Sequence, residues 1–222
     1  MPMTGWYPLL LKLDGRKCVV FGGGAVAQRK ACGLLDAAAD VHIVSPRVTP
    51  ELQEWANCGR LSWHEKEAEP HDMDGAELLF AATDRPELNR RLAEAAAERG
   101  IPANIADDGE SGDFIVPAVL RRGDLILTAS ASGAGPALPL RIIGELAERY
   151  GHIYNENVEA LRTIRGIVKA NVADPAERRV LLGAAVTDDA LAQWRTAGRL
   201  RDKDELIAQL RQLAKRTEGT DT

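Results

Sequence analysis

Lys17-Cys18-Val19-Val20-Phe21-Gly22-Gly23-Gly24-Ala25-Val26-Ala27 decides the fold. Lys17 to Phe21 is a short β-prone run. Three glycines end it, and a helical pattern with Ala27, Ala31, Leu34 and Leu35 on one face follows. Gly22 to Ala27 fits G-x-G-x-x-G/A between a strand and a helix. In that context the first glycine permits a tight turn, the second lets backbone approach a pyrophosphate, and Ala27 allows close helix–strand packing. The helix start adds N–H donors and the positive end of its dipole. This predicts a dinucleotide site at Gly22, Gly23, Gly24, Ala25 and Val26. As a purely structural turn, the same glycines would only make room for the chain.

Outward from this turn, strands and helices alternate. Val41 to Val44 is a strand closed by Ser45-Pro46. Pro50 starts a short helix to about Asn57, and Leu61 to His64 alternates as a strand. Leu78 to Ala82 is a continuous apolar run of the kind buried on both faces. Arg85 to Arg99 reads as a helix stopped by Gly100, and Ile101 to Ala106 as a fifth strand. Short connections in this rhythm imply a Rossmann-type α/β fold with a doubly wound parallel sheet.

The rhythm then breaks. Phe114 to Leu120 and Asp124 to Thr128 flank Arg121-Arg122-Gly123, a strand, turn and antiparallel strand. A small-residue loop, Ser130 to Gly135, leads into a helix ending near Tyr150. From His152 onward the pattern is helical, with an apolar stripe of Val158, Leu161, Ile164, Ile167 and Val168. Asp174-Pro175 is a strong helix start. The reading is a domain over 1–113, a small α+β dimerisation segment over 114–150 and a helical domain over 151–222. The two short apolar strands of the middle segment need a partner to cover them, which predicts a homodimer.

Composition limits the function classes. The chain has 222 residues, 45% hydrophobic and 27% charged, which suits one or two globular domains. The 28 Lys and Arg against 33 Asp and Glu give a net charge of −5, and no basic footprint for nucleic acid is visible. No apolar run is long enough for a membrane helix, and the first residues carry no signal-peptide pattern. Cys18, Cys32 and Cys58 lack metal or redox spacing, so reduced thiols in the cytoplasm are expected. The four histidines are scattered, so no metal site is expected.

Candidate site residues gather where strands end. NAD-binding folds often place Asp or Glu after the second strand for the ribose hydroxyls; here the run is Ser45-Pro46-Arg47. Ser45 is able to bond a ribose, while Arg47 would suit a 2′-phosphate, so NAD and NADP stay open on the residues alone. Thr83 and Asp84 follow the fourth strand, at the edge where parallel sheets bind ligands, or else cap the next helix. Asn104-Ile105-Ala106-Asp107 ends the fifth strand, where a carboxylate beside a nicotinamide is placed as a general base. A plain Asp-Asp-Gly turn is the alternative.

Taken in order, Gly22 to Ala27 with Arg29-Lys30, Ala81-Ala82-Thr83-Asp84 with Leu88-Asn89, Asn104 to Asp107, Phe114 to Ala118 and Gly135-Pro136 resemble the precorrin-2 dehydrogenase, or siroheme synthase N-terminal, family. The resemblance is collinear over about residues 6–150. It implies oxidation of precorrin-2 to sirohydrochlorin with NAD as hydride acceptor, in an interlocking dimer. Some members also insert ferrous iron. It implies Asp107 as the essential residue and cofactor contacts at Ala25, Val26, Pro46 and Arg47, which favours NAD. It further implies substrate contacts at Asn104, Ser130, Ser132 and Gly133. The chain departs from the family at Ala38, where Gly is usual, and in the loop before Pro136, which lacks a serine. Arg121, Arg122 and Arg141 are candidate cations for the substrate's carboxylates. The rival readings are another Rossmann oxidoreductase, which would need a catalytic Tyr-Lys pair not found here, and an NAD-sensing module in which Asp107 is dispensable.

Overall fold

The computed structural model describes residues 5–106, 111–131, 135–196 and 202–218. Asp107, Ser132 and Gly133 lie outside them. Close packing divides the chain into two compact units at Val116/Pro117, with the β-hairpin and all later helices in the second. The middle segment expected over 114–150 is thus grouped with the helices that follow it.

The first unit is built on five parallel strands: β1 (Lys17–Phe21), β2 (Asp40–Val44), β3 (Ser62–His64), β4 (Leu78–Ala81) and β5 (Ala103–Ile105). Their spatial order is β3-β2-β1-β4-β5. The chain moves outward from β1 in one direction and then returns to its other side. This opens a crevice at the carboxyl ends of β1 and β4, the switch point where such sheets bind ligands.

Alternation along β1 explains the layers. Cys18 and Val20 face helix α1 (Ala25–Leu35) and Leu52 of α2 (Pro50–Asn57). Val19 and Phe21 face the opposite layer, with Leu92, Ala95 and Ala96 of α3 (Pro86–Glu98). A 3-10 turn over Pro70–Met73, absent from the sequence reading, buries Met73 in that second layer. One apolar residue in a polar stretch carries no periodic signal.

The second unit starts with β6 (Ala118–Arg122) and β7 (Leu125–Ala129), an antiparallel hairpin pairing Arg122 with Leu125. The strand is shorter than expected, because Phe114 to Pro117 lie outside the ladder. Helices α4 (Ala137–Arg149), α5 (Tyr154–Asn171), α6 (Pro175–Ala184), α7 (Asp188–Thr196) and α8 (Lys203–Glu218) follow. Ile164, Val168, Leu181, Trp194 and Leu210 form the buried centre of the last four. The α6 start is capped as its sequence predicts, the Asp174 carboxylate accepting from Ala176 and Glu177 N–H.

Candidate active site

The glycine turn is clasped by its own neighbours. Gly22 N–H donates to Val44 O at 3.0 Å, and Thr49 N–H donates to Gly23 O at 2.9 Å. Gly22 has φ +115, and a Cβ placed there would meet Ala82 O at 2.3 Å. A Cβ on Gly23 would meet Arg47 O at 1.9 Å. The close approach that Gly23 permits is therefore to the β2–α2 loop, whereas the sequence argument assigned it to a pyrophosphate. Gly24 differs: a Cβ there has nothing within 4 Å, and no side chain caps α1. An uncapped helix start beside open space fits a pyrophosphate, so these residues suit a dinucleotide.

Ser45 is buried, and its hydroxyl donates to Arg47 O at 2.7 Å. Its carbonyl accepts from Trp63 Nε1 at 3.0 Å. Ser45 thus shapes the β2–α2 loop that closes on Gly23. Pro46 and Arg47 are exposed beside it, at the carboxyl end of β2.

The β4–α3 turn is locked by Asn89, which is only 3% exposed. Its Oδ1 accepts from Thr83 N–H at 3.1 Å and from the Thr83 hydroxyl at 2.6 Å, and its Nδ2 donates to Thr83 O at 3.1 Å. Arg85, which begins α3 as its cap residue, donates its N–H to Thr83 Oγ1 at 3.2 Å. Thr83 thus serves the turn, and Asp84 is exposed next to it. The sequence pattern placed Asn89 on α3 without revealing this role, which requires the strand end and the helix face together.

Asn104 is buried on β5, opposite Phe80 of β4. Its Nδ2 donates to Phe114 O at 2.9 Å, while its Oδ1 has no partner among the described residues. Phe114 meets Phe80 edge to face at 5.3 Å between ring centres. Lys30 of α1 sets its ammonium 5.6 Å above the Phe80 ring. Burial, and then the nearby Arg29, lower its pKa.

All of these groups stand at the carboxyl edge of the parallel sheet: the glycine turn after β1, Ser45 to Arg47 after β2, Thr83 and Asp84 after β4, and Asn104 within β5. Asp107 follows two residues beyond the end of β5 in sequence. Ser130 belongs to the other unit, just after β7. Of the cations expected to meet substrate, Arg122 donates from Nε to Tyr150 O at 2.9 Å, and Arg141 pairs with Glu145 at 3.5 Å. Arg121 is exposed, with no side-chain partner among the described residues.

The histidines are less scattered than the sequence suggests. His42 Nδ1 and His64 Nε2 are 3.1 Å apart, and His42 Nε2 contacts Asp40 at 3.1 Å. His71 groups with Glu69 and Asp72. Lys66 already bridges that pair of carboxylates, at 3.1 Å and 2.9 Å, and hydrogen bonds to Asp72 and Glu69 raise its pKa.

Residues 9–118 match the family model described as "Putative NAD(P)-binding". The chain is 36% identical over 189 residues to siroheme synthase 1 of Aeromonas salmonicida, covering 85% of this chain and 40% of that protein. It is 34% identical over 187 residues to a siroheme synthase of Escherichia coli O1:K1, covering 84% and 41%. The chain therefore spans about two fifths of the length of these relatives. A solved structure described as SirC, precorrin-2 dehydrogenase, superposes with a TM-score of 0.73 at 26% identity, over 93% of this chain and 100% of that one. No described helix is long and apolar enough to cross a membrane. With relatives of one kind in sequence and in structure, the chain belongs to the family of precorrin-2 dehydrogenases and siroheme synthase N-terminal domains.

Proposed function

We propose that the chain oxidises precorrin-2 to sirohydrochlorin with NAD as the hydride acceptor. The observation that carries this reading is the likeness to a precorrin-2 dehydrogenase along that protein's entire length. The carboxyl edge of the sheet supports it, because the open helix start at Gly24 and the segment leading to Asp107 share that edge.

In this reading Gly22, Gly23, Gly24, Ala25 and Val26 form the pyrophosphate turn, and Ser45, Pro46 and Arg47 bound the adenosine end. Thr83, Asp84 and Asn104 bound the other side of the crevice. Bound NAD supplies the hydride acceptor, and orientation and charge come from the protein. The substrate loses a hydride and a proton. Asp107 takes the proton on its carboxylate as general base. Asn104, Ser130, Ser132 and Gly133 contact the macrocycle, and Arg121 is the candidate cation for its carboxylates. The chain works as a homodimer through the 114–150 segment, in the reducing cytoplasm that leaves Cys32 and Cys58 as exposed free thiols.

Anaerobic incubation with precorrin-2 and NAD, followed by sirohydrochlorin absorbance, tests the activity. Asp107→Asn is expected to lower turnover on the order of 100-fold or more with NAD affinity retained, and Asp108→Asn to change it little. No product from the wild type overturns the reading. Full turnover by Asp107→Asn removes the base. Adding ferrous iron afterwards tests whether the same protein also makes siroheme.

A further inference from the structure

β5 is the last strand on its side of the sheet. The outward N–H and C=O of Ala103 would face solvent there, because no strand lies beyond. A single residue covers both. The Asp113 carboxylate accepts from Ala103 N–H at 2.9 Å, and Asp113 N–H donates to Ala103 O at 2.8 Å. One residue further, Phe114 O takes the Asn104 Nδ2 bond. The chain thus leaves β5 at Ile105 and returns to the same strand eight residues later. Gly112 makes the return possible: a Cβ there would sit 2.9 Å from Ala103 O and push the clamp open. At the departing end, Ala106 N–H is fixed to Ala81 O at 3.0 Å.

The segment between these two anchors carries Asp107. We propose that Asp113 is a positioning residue: its bond to Ala103 closes the 106–113 loop and fixes where Asp107 meets the substrate. This rests on the reading of Asp107 as the base. A reacting group misplaced by about 1 Å costs on the order of 100-fold in rate. The glycine turn is held by separate bonds to Val44 and Thr49, so losing the clamp leaves cofactor binding alone.

The test compares Asp113→Ala, which removes the acceptor, with Asp113→Asn, whose amide oxygen still accepts from Ala103 N–H. Asp113→Ala is expected to lose roughly 10- to 100-fold in kcat with KM for NAD unchanged. Asp113→Asn is expected to recover most of the turnover. Gly112→Ala opens the clamp from another residue and should reproduce the kcat loss if Asp113→Ala fails to fold. Hydrogen exchange at the Ala103 amide should quicken in Asp113→Ala. Wild-type kcat in Asp113→Ala, equal loss in both Asp113 variants, or a loss confined to KM for NAD overturns the proposal. Asp107→Asn measured alongside separates the two ideas. If it retains full turnover, the base assignment falls, while the Ala103 exchange rate still reports whether Asp113 closes the loop.

Discussion

Asn89 and Thr83 are joined by three hydrogen bonds, two accepted by Asn89 Oδ1 and one donated by its Nδ2. A helix residue thereby takes the place of a β-turn partner and fixes how the chain leaves β4. Asn89→Ala strands the buried amide and carbonyl of Thr83 without partners. The expected cost is about 2–3 kcal/mol of stability, read from urea denaturation. Thr83→Val, which loses only the hydroxyl bond, should cost less. A cost for Asn89→Ala no greater than that for Thr83→Val would contradict the lock.

Gly23 and Gly24 are adjacent and should respond oppositely. Gly23→Ala drives a Cβ into Arg47 O and must break the clasp between the turn and the β2–α2 loop, so a strong loss of stability is expected. Gly24 occupies the cap position of α1 with extended backbone, φ −84 and ψ −172, and open space around it. Gly24→Asp therefore supplies a missing helix cap and should gain a few tenths of a kcal/mol. It also sets a negative charge where the pyrophosphate is proposed to sit, and NAD affinity should fall roughly tenfold or more, about 1.4 kcal/mol. Thermal melting and NAD titration of the same variant check both signs.

Ala38 lies at φ +56, and no other non-glycine residue among those described has positive φ. The left-handed conformation costs an L-residue roughly 1–2 kcal/mol. It arises because α1 must turn directly into β2, with Ala39 N–H bonded to Leu34 O at 3.1 Å. Ala38→Gly relieves the strain but gives the unfolded chain more freedom, a loss of about 0.5 kcal/mol. A net gain of about 0.5–1 kcal/mol is expected from chemical denaturation. A loss of stability would show that the strain is not there.

Cys18 is buried in β1, and its thiol is pushed up to about 11 from an ordinary 9.0 by burial first, with Glu77 and Asp40 adding to it. The folded state thus favours the neutral thiol. Its contribution to stability is intact below the unfolded value of 9.0 and is lost as pH rises toward 11. In the native protein a thiol reagent at mildly alkaline pH should label Cys32 and Cys58, which are exposed, and spare Cys18. Labelling of all three before unfolding would refute its burial. Cys18→Ala should flatten the alkaline loss of stability.

The glycine turn, the parallel sheet and the carboxyl-edge placement of Gly24, Arg47, Thr83 and Asn104 were legible in the sequence. The turn's spacing is local, and burial on both faces leaves continuous apolar runs such as Leu78 to Ala81. The αL cost at Ala38 was equally legible, since it follows from one residue and one turn. The tertiary structure alone decided what the polar groups do. Gly23 makes room for Arg47 O, Asn89 holds Thr83, Asp113 closes on Ala103, and Arg122 holds the Tyr150 carbonyl. Each of these joins residues 6 to 28 positions apart through a hydrogen bond or close contact. Side-chain type and periodicity report which face a residue presents, but the partner of a buried polar group is set by which backbone passes nearby. Only the folded chain settles that.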